Sequence, residues 1–297
     1  MDRLLRGINA EHTVRVVSAI ATDAVRDGCQ RHGLRGVEAV VLGRGLLAGC
    51  LLATLTKQDR ERVRIAVEGS GPLGRLLIDA FGNGDVRGCL SRRLASTITP
   101  PTAAVRVELG PWIGHEGRVV VTRDIGLENQ YQGVVEIDEG ELDRDLERYL
   151  QSSEQLPSVL ACEVVLDAHG EVARAGGVLC QSFPGAPTAV IEPVRERLHG
   201  TELASLLQHD RDPHALMGFA LGGEEFEAMG DAELRFRCSC GPERAAAVLS
   251  TLGAEDLDEL AREPGETEVR CSYCGSSYHV DAEALRAIAQ RVREQRS

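Results

Sequence analysis

Four cysteines near the C-terminus carry the clearest chemistry of the chain: Cys238 and Cys240 as a C-x-C pair, then Cys271 and Cys274 as a C-x-x-C pair. Residues 241–270 separate the pairs. Four thiolates converging from two tight knuckles are what tetrahedral zinc requires, each sulfur about 2.3 Å from the metal. The first knuckle departs from the common zinc-ribbon form, which uses C-x-x-C twice. Its tighter spacing also suits closure of a short disulfide ring. The spacing therefore admits two chemistries: a fixed structural zinc site, and a zinc site that oxidation dismantles. His279 lies five residues past Cys274. Four cysteines already complete a tetrahedral shell, so His279 is expected to serve surface or packing needs. Tyr273, inside the second knuckle, is expected to pack over the site.

The other motifs point elsewhere. Gly69-Ser70-Gly71-Pro72-Leu73-Gly74 matches G-x-G-x-x-G and follows a strand-like run. Two helical segments precede it, Pro72 stiffens it, and the acidic residue downstream, Asp85, comes too early for a ribose contact. A tight turn between two strands is the expectation. There is no G-x-x-x-x-G-K-[ST] loop and no G-x-S-x-G elbow, so neither nucleotide use nor a serine nucleophile has sequence support. Cys29, Cys50, Cys89, Cys162 and Cys180 lie in or beside apolar segments and read as small buried hydrophobes, with Cys180 the least certain because it sits near a domain edge. His12, His32 and His115 have no partner spacing that argues for catalysis.

Composition bounds the rest. A chain of 297 residues is long enough for about two domains. Aromatics are 3%, so the core must be Val, Leu, Ile and Ala. Net charge is −13 and Lys57 is the only lysine. An acidic chain is a poor ligand for nucleic acid, whose affinity rests on phosphate neutralisation. An odd count of nine cysteines, without a charged and then apolar leader, suits a reducing cytoplasm. The apolar stretch Val37 to Leu55 contains Glu38 and Arg44 and reads as a buried helix rather than a membrane span.

The elements that must position the cysteines follow from periodicity. Helical spacing is expected over residues 13–31 and 36–56. Alternation over Val63, Ile65 and Val67 predicts a strand, with further strands at Ala103 to Leu109, Arg118 to Thr122, Gln132 to Ile137, Val159 to Leu166 and Glu171 to Leu179. A helix over Glu141 to Ser152 interrupts them. The order gives an α+β class with a mixed or antiparallel sheet. Thr188 to Gln208 reads as a helix kinked or split at Pro193. Leu221 to Leu234 is acidic and reads as a linker or weakly folded segment. Around the cysteines, helices are expected at Glu243 to Leu252, Glu255 to Ala261 and, capped by Asp281, up to Arg293. About sixty residues bury too little surface to be robust alone, and zinc would contribute the difference.

The whole chain resembles the heat-shock protein 33 family of redox-regulated bacterial chaperones. The resemblance rests on Phe236-Arg237-Cys238-Ser239-Cys240, Glu243-Arg244 and Cys271-Ser272-Tyr273-Cys274-Gly275, with Tyr278 behind. It rests also on Gly71-Pro72-Leu73-Gly74, Tyr131-Gln132-Gly133-Val134-Val135, Ser153-Glu154-Gln155-Leu156-Pro157-Ser158 and Gly176-Gly177-Val178-Leu179, with Gln181 and Pro184. It implies three parts: an α+β N-terminal core over 1–183, a metastable helical linker over 184–235, and a zinc-binding redox-switch domain over 236–297. It implies an ATP-independent holdase, not an enzyme, that binds unfolding proteins and is inactive while reduced and zinc-bound. It implies one zinc per chain on Cys238, Cys240, Cys271 and Cys274. Oxidation by hypochlorous acid, or by peroxide with heat, would pair Cys238 with Cys240 and Cys271 with Cys274, release zinc, unfold module and linker, and favour a homodimer. The competing reading is a zinc ribbon that binds nucleic acid or protein constitutively; the acidic run Glu255, Asp256, Asp258, Glu259, Glu263, Glu266 and Glu268 argues against a polyanion partner. One departure is Gly241-Pro242 where the family places Ser after the second cysteine: proline stiffens the loop and removes a backbone donor.

Overall fold

A helix that is apolar on every side has to be enclosed on every side, and the core is built around one. The computed structural model describes residues 1–95, 98, 106–126, 130–210 and 212–296. The chain divides into two units, Met1–Arg237 and Cys238–Ser297. The first begins with strands β1 (Arg3–Asn9) and β2 (Val14–Ile20) and helices α1 (Thr22–His32) and α2 (Val37–Ala53). Then come β3 (Arg62–Gly69), β4 (Arg75–Phe81), β5 (Asp85–Leu90), α3 (Gly110–Ile113), β6 (Gly117–Asp124), β7 (Tyr131–Glu136) and α4 (Leu142–Tyr149), the last running into a π-helical turn over Leu150–Glu154. Strands β8 (Ser158–Leu166) and β9 (Val172–Ser182), helices α5 (Glu192–Leu198), α6 (Glu202–His209) and α7 (Pro213–Ala220), and strands β10 (Phe226–Glu233) and β11 (Arg235–Phe236) complete it.

Two sheets result, in the orders β10-β1-β2-β9-β8 and β11-β5-β4-β3-β6-β7. Every pairing is antiparallel except β11 with β5, so the class is α+β. Helix α2 is buried along its whole length and packs on strands of both sheets. Its glycines set how close they come: a Cβ on Gly43 would meet Val164 at 2.7 Å, and one on Gly49 would meet Ile78 at 2.8 Å. The two charges in this helix are matched. Glu38 takes Arg93 and the Leu94 amide. Arg44, fully buried, reaches Glu163 at 2.8 Å and Glu141 at 3.4 Å. Among the described residues, no helix is long and apolar enough to cross a membrane.

Both faces of the first sheet are covered. Its inner face meets α1 and α2, and its outer face meets α5, α6 and α7. On that outer face Val16, Cys180 and Val159 form one row across β2, β9 and β8, and Val178 and Ala161 lie in the next. The helices lay Val194, Leu198, Leu203, Leu207, Leu216 and Met217 on them.

Several expectations are corrected here. Residues 14–20 are strand rather than helix, and only 22–32 are helical. A central strand buried on both faces loses its two-residue alternation, which leaves only an apolar run. Residues 103–105 of an expected strand lie outside the described residues, and Arg106–Leu109 form no strand; Arg106 is held by Asp143 and Glu163, and the Leu109 amide by Glu141. The segment Thr188 to Gln208 breaks just before Pro193, where a 3-10 turn over Thr188–Val190 gives way to α5 with Pro193 in its first turn, and it breaks a second time at Gly200, between α5 and α6. The acidic stretch 221–234 is not a loose linker: its residues Phe226–Glu233 form edge strand β10 on β1, where Arg3 pairs with Asp231. The glycine loop 69–74 is the expected turn between antiparallel strands. A Cβ on Gly69 or Gly71 would strike the backbone of Ile113 or Trp112, so α3 fills the space a cofactor phosphate would need.

The second unit contains α8 (Pro242–Leu249), α9 (Ala254–Leu260), the hairpin β12 (Thr267–Arg270) and β13 (Ser277–Val280), and α10 (Ala282–Arg296). Asp281 caps α10 by accepting the Ala284 amide at 2.8 Å. The core of this unit is small: Leu249, Leu257, Ala261, Leu285, Ile288, Ala289 and Val292.

Candidate metal centre

The C-x-x-C knuckle is the turn of the β12–β13 hairpin. Arg270 pairs with Ser277, so residues 271–276 must reverse the chain. The Cys271 amide donates to the Ser276 carbonyl at 2.9 Å, and the Gly275 amide to the Cys271 carbonyl at 2.8 Å. Gly275 adopts φ +71°, which a residue without Cβ accepts freely. The C-x-C knuckle precedes α8, and Pro242 is the first residue of that helix. Pro242 therefore starts a helix at the one place where proline needs no N–H partner. Arg244 in the same turn donates to the Ser239 hydroxyl at 2.8 Å, which ties the helix start back to the knuckle.

The two knuckles bring four sulfurs together. The Sγ atoms of Cys238, Cys240, Cys271 and Cys274 all lie within 4.8 Å of one another. Cys238 and Cys271 are 3.8 Å apart, and Cys240 and Cys274 are 3.3 Å apart. A tetrahedron with metal–sulfur bonds of ~2.3 Å has edges of about 3.8 Å, so the cluster has the size of a tetrathiolate metal shell. The donor set, four soft sulfurs without carboxylate, suits zinc.

Protons are shared unevenly among the thiols. Burial pushes Cys240 up to about 12, reinforced by its thiol neighbours Cys274 and Cys238. Burial acts on Cys274 in the same sense, but the Ser276 hydroxyl and amide, with Cys240 and Cys271, outweigh it and bring it down to about 7. Tyr278 donates its hydroxyl to the Cys240 sulfur at 3.0 Å. Ser276, the last residue of the turn, and Tyr278, in β13, both reach the cluster, Ser276 at Cys274 and Tyr278 at Cys240. Tyr273, expected over the site, is half-buried on the turn itself, and Tyr278, to which the residue spacing assigned no contact, reaches a sulfur as well. The period-two pattern after the knuckle was the signal available. His279 stays outside the cluster, exposed and 3.8 Å from Glu266.

The other five cysteines are dispersed. Cys29, Cys50, Cys162 and Cys180 are buried in α1, α2, β8 and β9, and Cys89 is half-buried on β5. Burial raises all five, Cys29, Cys50 and Cys180 to about 12. A thiol held in that form is a poor nucleophile.

Comparison with known proteins decides the family. The model of the family described as "Hsp33 protein" matches residues 2–281. The chain belongs to the Hsp33 family. The 33 kDa chaperonin of Geobacter sulfurreducens is 32% identical, over 97% of this chain and 94% of that protein. The 33 kDa chaperonin of a Synechococcus strain is 35% identical, over 98% of this chain and 91% of its own length. The crystal structure of the Hsp33 homologue from Thermotoga maritima superposes with a TM-score of 0.85 at 26% identity, covering 98% of this chain and 99% of that one. The fold and the thiol cluster thus stand in a family of chaperones.

Proposed function

We propose that this Hsp33 chain is an ATP-independent holdase of the cytoplasm whose client surface is uncovered by oxidation of the four clustered cysteines. The observation that carries the reading is the sulfur cluster, set in a unit with a small core of its own. A zinc ion bound there would hold Cys238, Cys240, Cys271 and Cys274 as thiolates and tie the two knuckles together. Thiolates are the form that peroxide attacks. One sulfur takes up oxygen as a sulfenic acid and hydroxide leaves; a neighbouring thiol then displaces that oxygen as water and closes the disulfide. Forming each disulfide takes two electrons from a pair of thiols, so two equivalents of peroxide convert all four sulfurs.

The pairing implied by the resemblance is Cys238 with Cys240 and Cys271 with Cys274. All four sulfurs lie within 4.8 Å of one another, and cross-knuckle pairs come as close as 3.3 and 3.8 Å, so peptide mapping of the oxidised protein must decide between within-knuckle and cross-knuckle bonds. With the thiolates gone, the cross-link is lost and residues 236–297 loosen. Within residues 184–235, the linker that the resemblance implies, the movable part is the helical stretch before β10, which is itself paired with β1. The short helices α5, α6 and α7 are held by docking rather than by propensity, and their release exposes the Val16, Val159, Val178 and Cys180 face to extended apolar segments of unfolding clients. The active form is a homodimer that needs neither nucleotide nor nucleic acid.

The test is zinc release and suppression of client aggregation, followed together before and after oxidation. The expected result is about one zinc released per chain as holdase activity appears. Equal activity in the reduced, zinc-loaded protein would refute the switch.

A further inference from the structure

We infer that Glu147 is the polar anchor that keeps the linker helix α5 closed over the outer face of the first sheet. Glu147 lies on α4, in the core, and is 7% exposed. Three groups converge on its carboxylate. The Leu160 amide of β8 donates to Oε1 at 2.7 Å. From α5 and its C-terminal end, Arg195 donates to Oε2, and His199 Nε2 lies 2.7 Å from Oε1. Arg195 also donates to the Ser158 carbonyl at 3.2 Å, so one guanidinium joins α5 to both α4 and the start of β8.

The location gives these bonds their leverage. Helix α5 has seven residues, too few to persist by itself. Its apolar contribution is Val194 and Leu198, with Ile191 just before it. The charge-assisted bonds to Glu147 are therefore a large share of what fixes the segment. They are also reversible. A cleft of about 500 Å³ lined by Asp138, Arg144, Arg148 and Gln151 opens beside Glu147, Arg195 and His199, so water reaches these groups as soon as they part. Arg195 and His199 side chains are already 33% and 17% exposed. Such a contact adds specificity to docking without making release prohibitive. Behind it lies Cys180, fully buried in the covered face, which reports on opening.

The experiment labels the reduced, zinc-loaded full chain with iodoacetamide and follows each cysteine peptide by mass spectrometry. Arg195→Gln with His199→Gln leaves the core untouched. Cys180 should be labelled roughly tenfold faster, as loss of a charge-assisted bond implies, with Cys50, Cys162 and zinc content unchanged. Glu147→Gln, which keeps an acceptor for the Leu160 amide, should give the same rise, and combining it with the linker changes should add nothing further. Parental labelling of Cys180 in these variants would overturn the anchor, as would an equal rise at Cys50 and Cys162, which marks global loosening. The functional consequence rests on the holdase reading above and fails separately: if Cys180 opens and client aggregation is not suppressed, the anchor stands and the client face does not.

Discussion

The two units of this chain differ in the size of their cores and, on the proposed function, in what holds them together. Residues 1–237 enclose the fully buried α2, and even its charges, Glu38 and Arg44, find partners inside. Residues 238–297 have a core of seven buried apolar residues and a cluster of four thiols. A structure held by burial loses stability by degrees, since each lost contact is one of many. A structure held by a few ligands to one ion loses most of it at once, because binding free energy there is folding free energy. Nature of the support thus decides which part of the molecule can act as a switch.

The sharpest way to break this contrast is to take the metal away. A strong chelator under reducing conditions should remove an apparent ~10–16 kcal/mol from the second unit. Hydrogen exchange should show α8, α9 and α10 unprotected while α2 stays protected. Persistence of α10 protection without metal would mean that its apolar core suffices.

The counterpart inside the first unit is Arg44→Ala. It leaves Glu163, 3% exposed, with Arg106 alone and removes part of the pairing of Glu141. Removing one partner of a buried pair costs about 3–5 kcal/mol. Denaturant unfolding should register that loss with zinc content unchanged. Loss of zinc in the same variant would show that the two units are not independently supported.

A smaller effect sharpens the picture. Burial pushes Asp145 up to about 6, while its bond to the Asp138 amide and Arg148 act in the opposite sense. The folded state therefore binds this proton more tightly than the unfolded chain. Its stabilising contribution is complete below the unfolded value of 3.8 and is lost as pH rises through about 6. Asp145→Asn retains an acceptor for the Asp138 amide and removes the charge. It should be about 1 kcal/mol more stable than the parent near neutral pH and no more stable below about pH 4. An advantage that persists in acid would place its origin elsewhere.

What could be read from residues alone has a common physical character: it is local. The spacing of Cys238, Cys240, Cys271 and Cys274 singles out a metal-sized cluster because two tight knuckles leave the sulfurs few places to go. Helix α2 is legible because no residue sequence so uniformly apolar can face water. Strand β3 keeps its alternation, and Asp281 announces α10. The misread segments depend on neighbours far away in the chain. Strand β2 looks helical because both its faces are covered, one by α2 and one by α7. Strand β10 looks like a linker because an edge strand needs only the hydrogen bonds of β1, not an apolar face.

The same division holds for the site and its control. Ligand type and number are set by the sequence, since zinc chemistry requires only four soft donors within reach. That Tyr278 meets a sulfur is decided by the hairpin register, which sets it opposite Val269 just past the knuckle. That Cys180 lies in the centre of a covered face, and that Glu147 gathers Arg195 and His199 from residues 48 and 52 positions away, are decided only when α5 docks on the first sheet. Sequence determined the donor set because bonding preferences belong to single residues; tertiary structure decided which surfaces are covered because a contact between distant segments exists only once folding has brought them together.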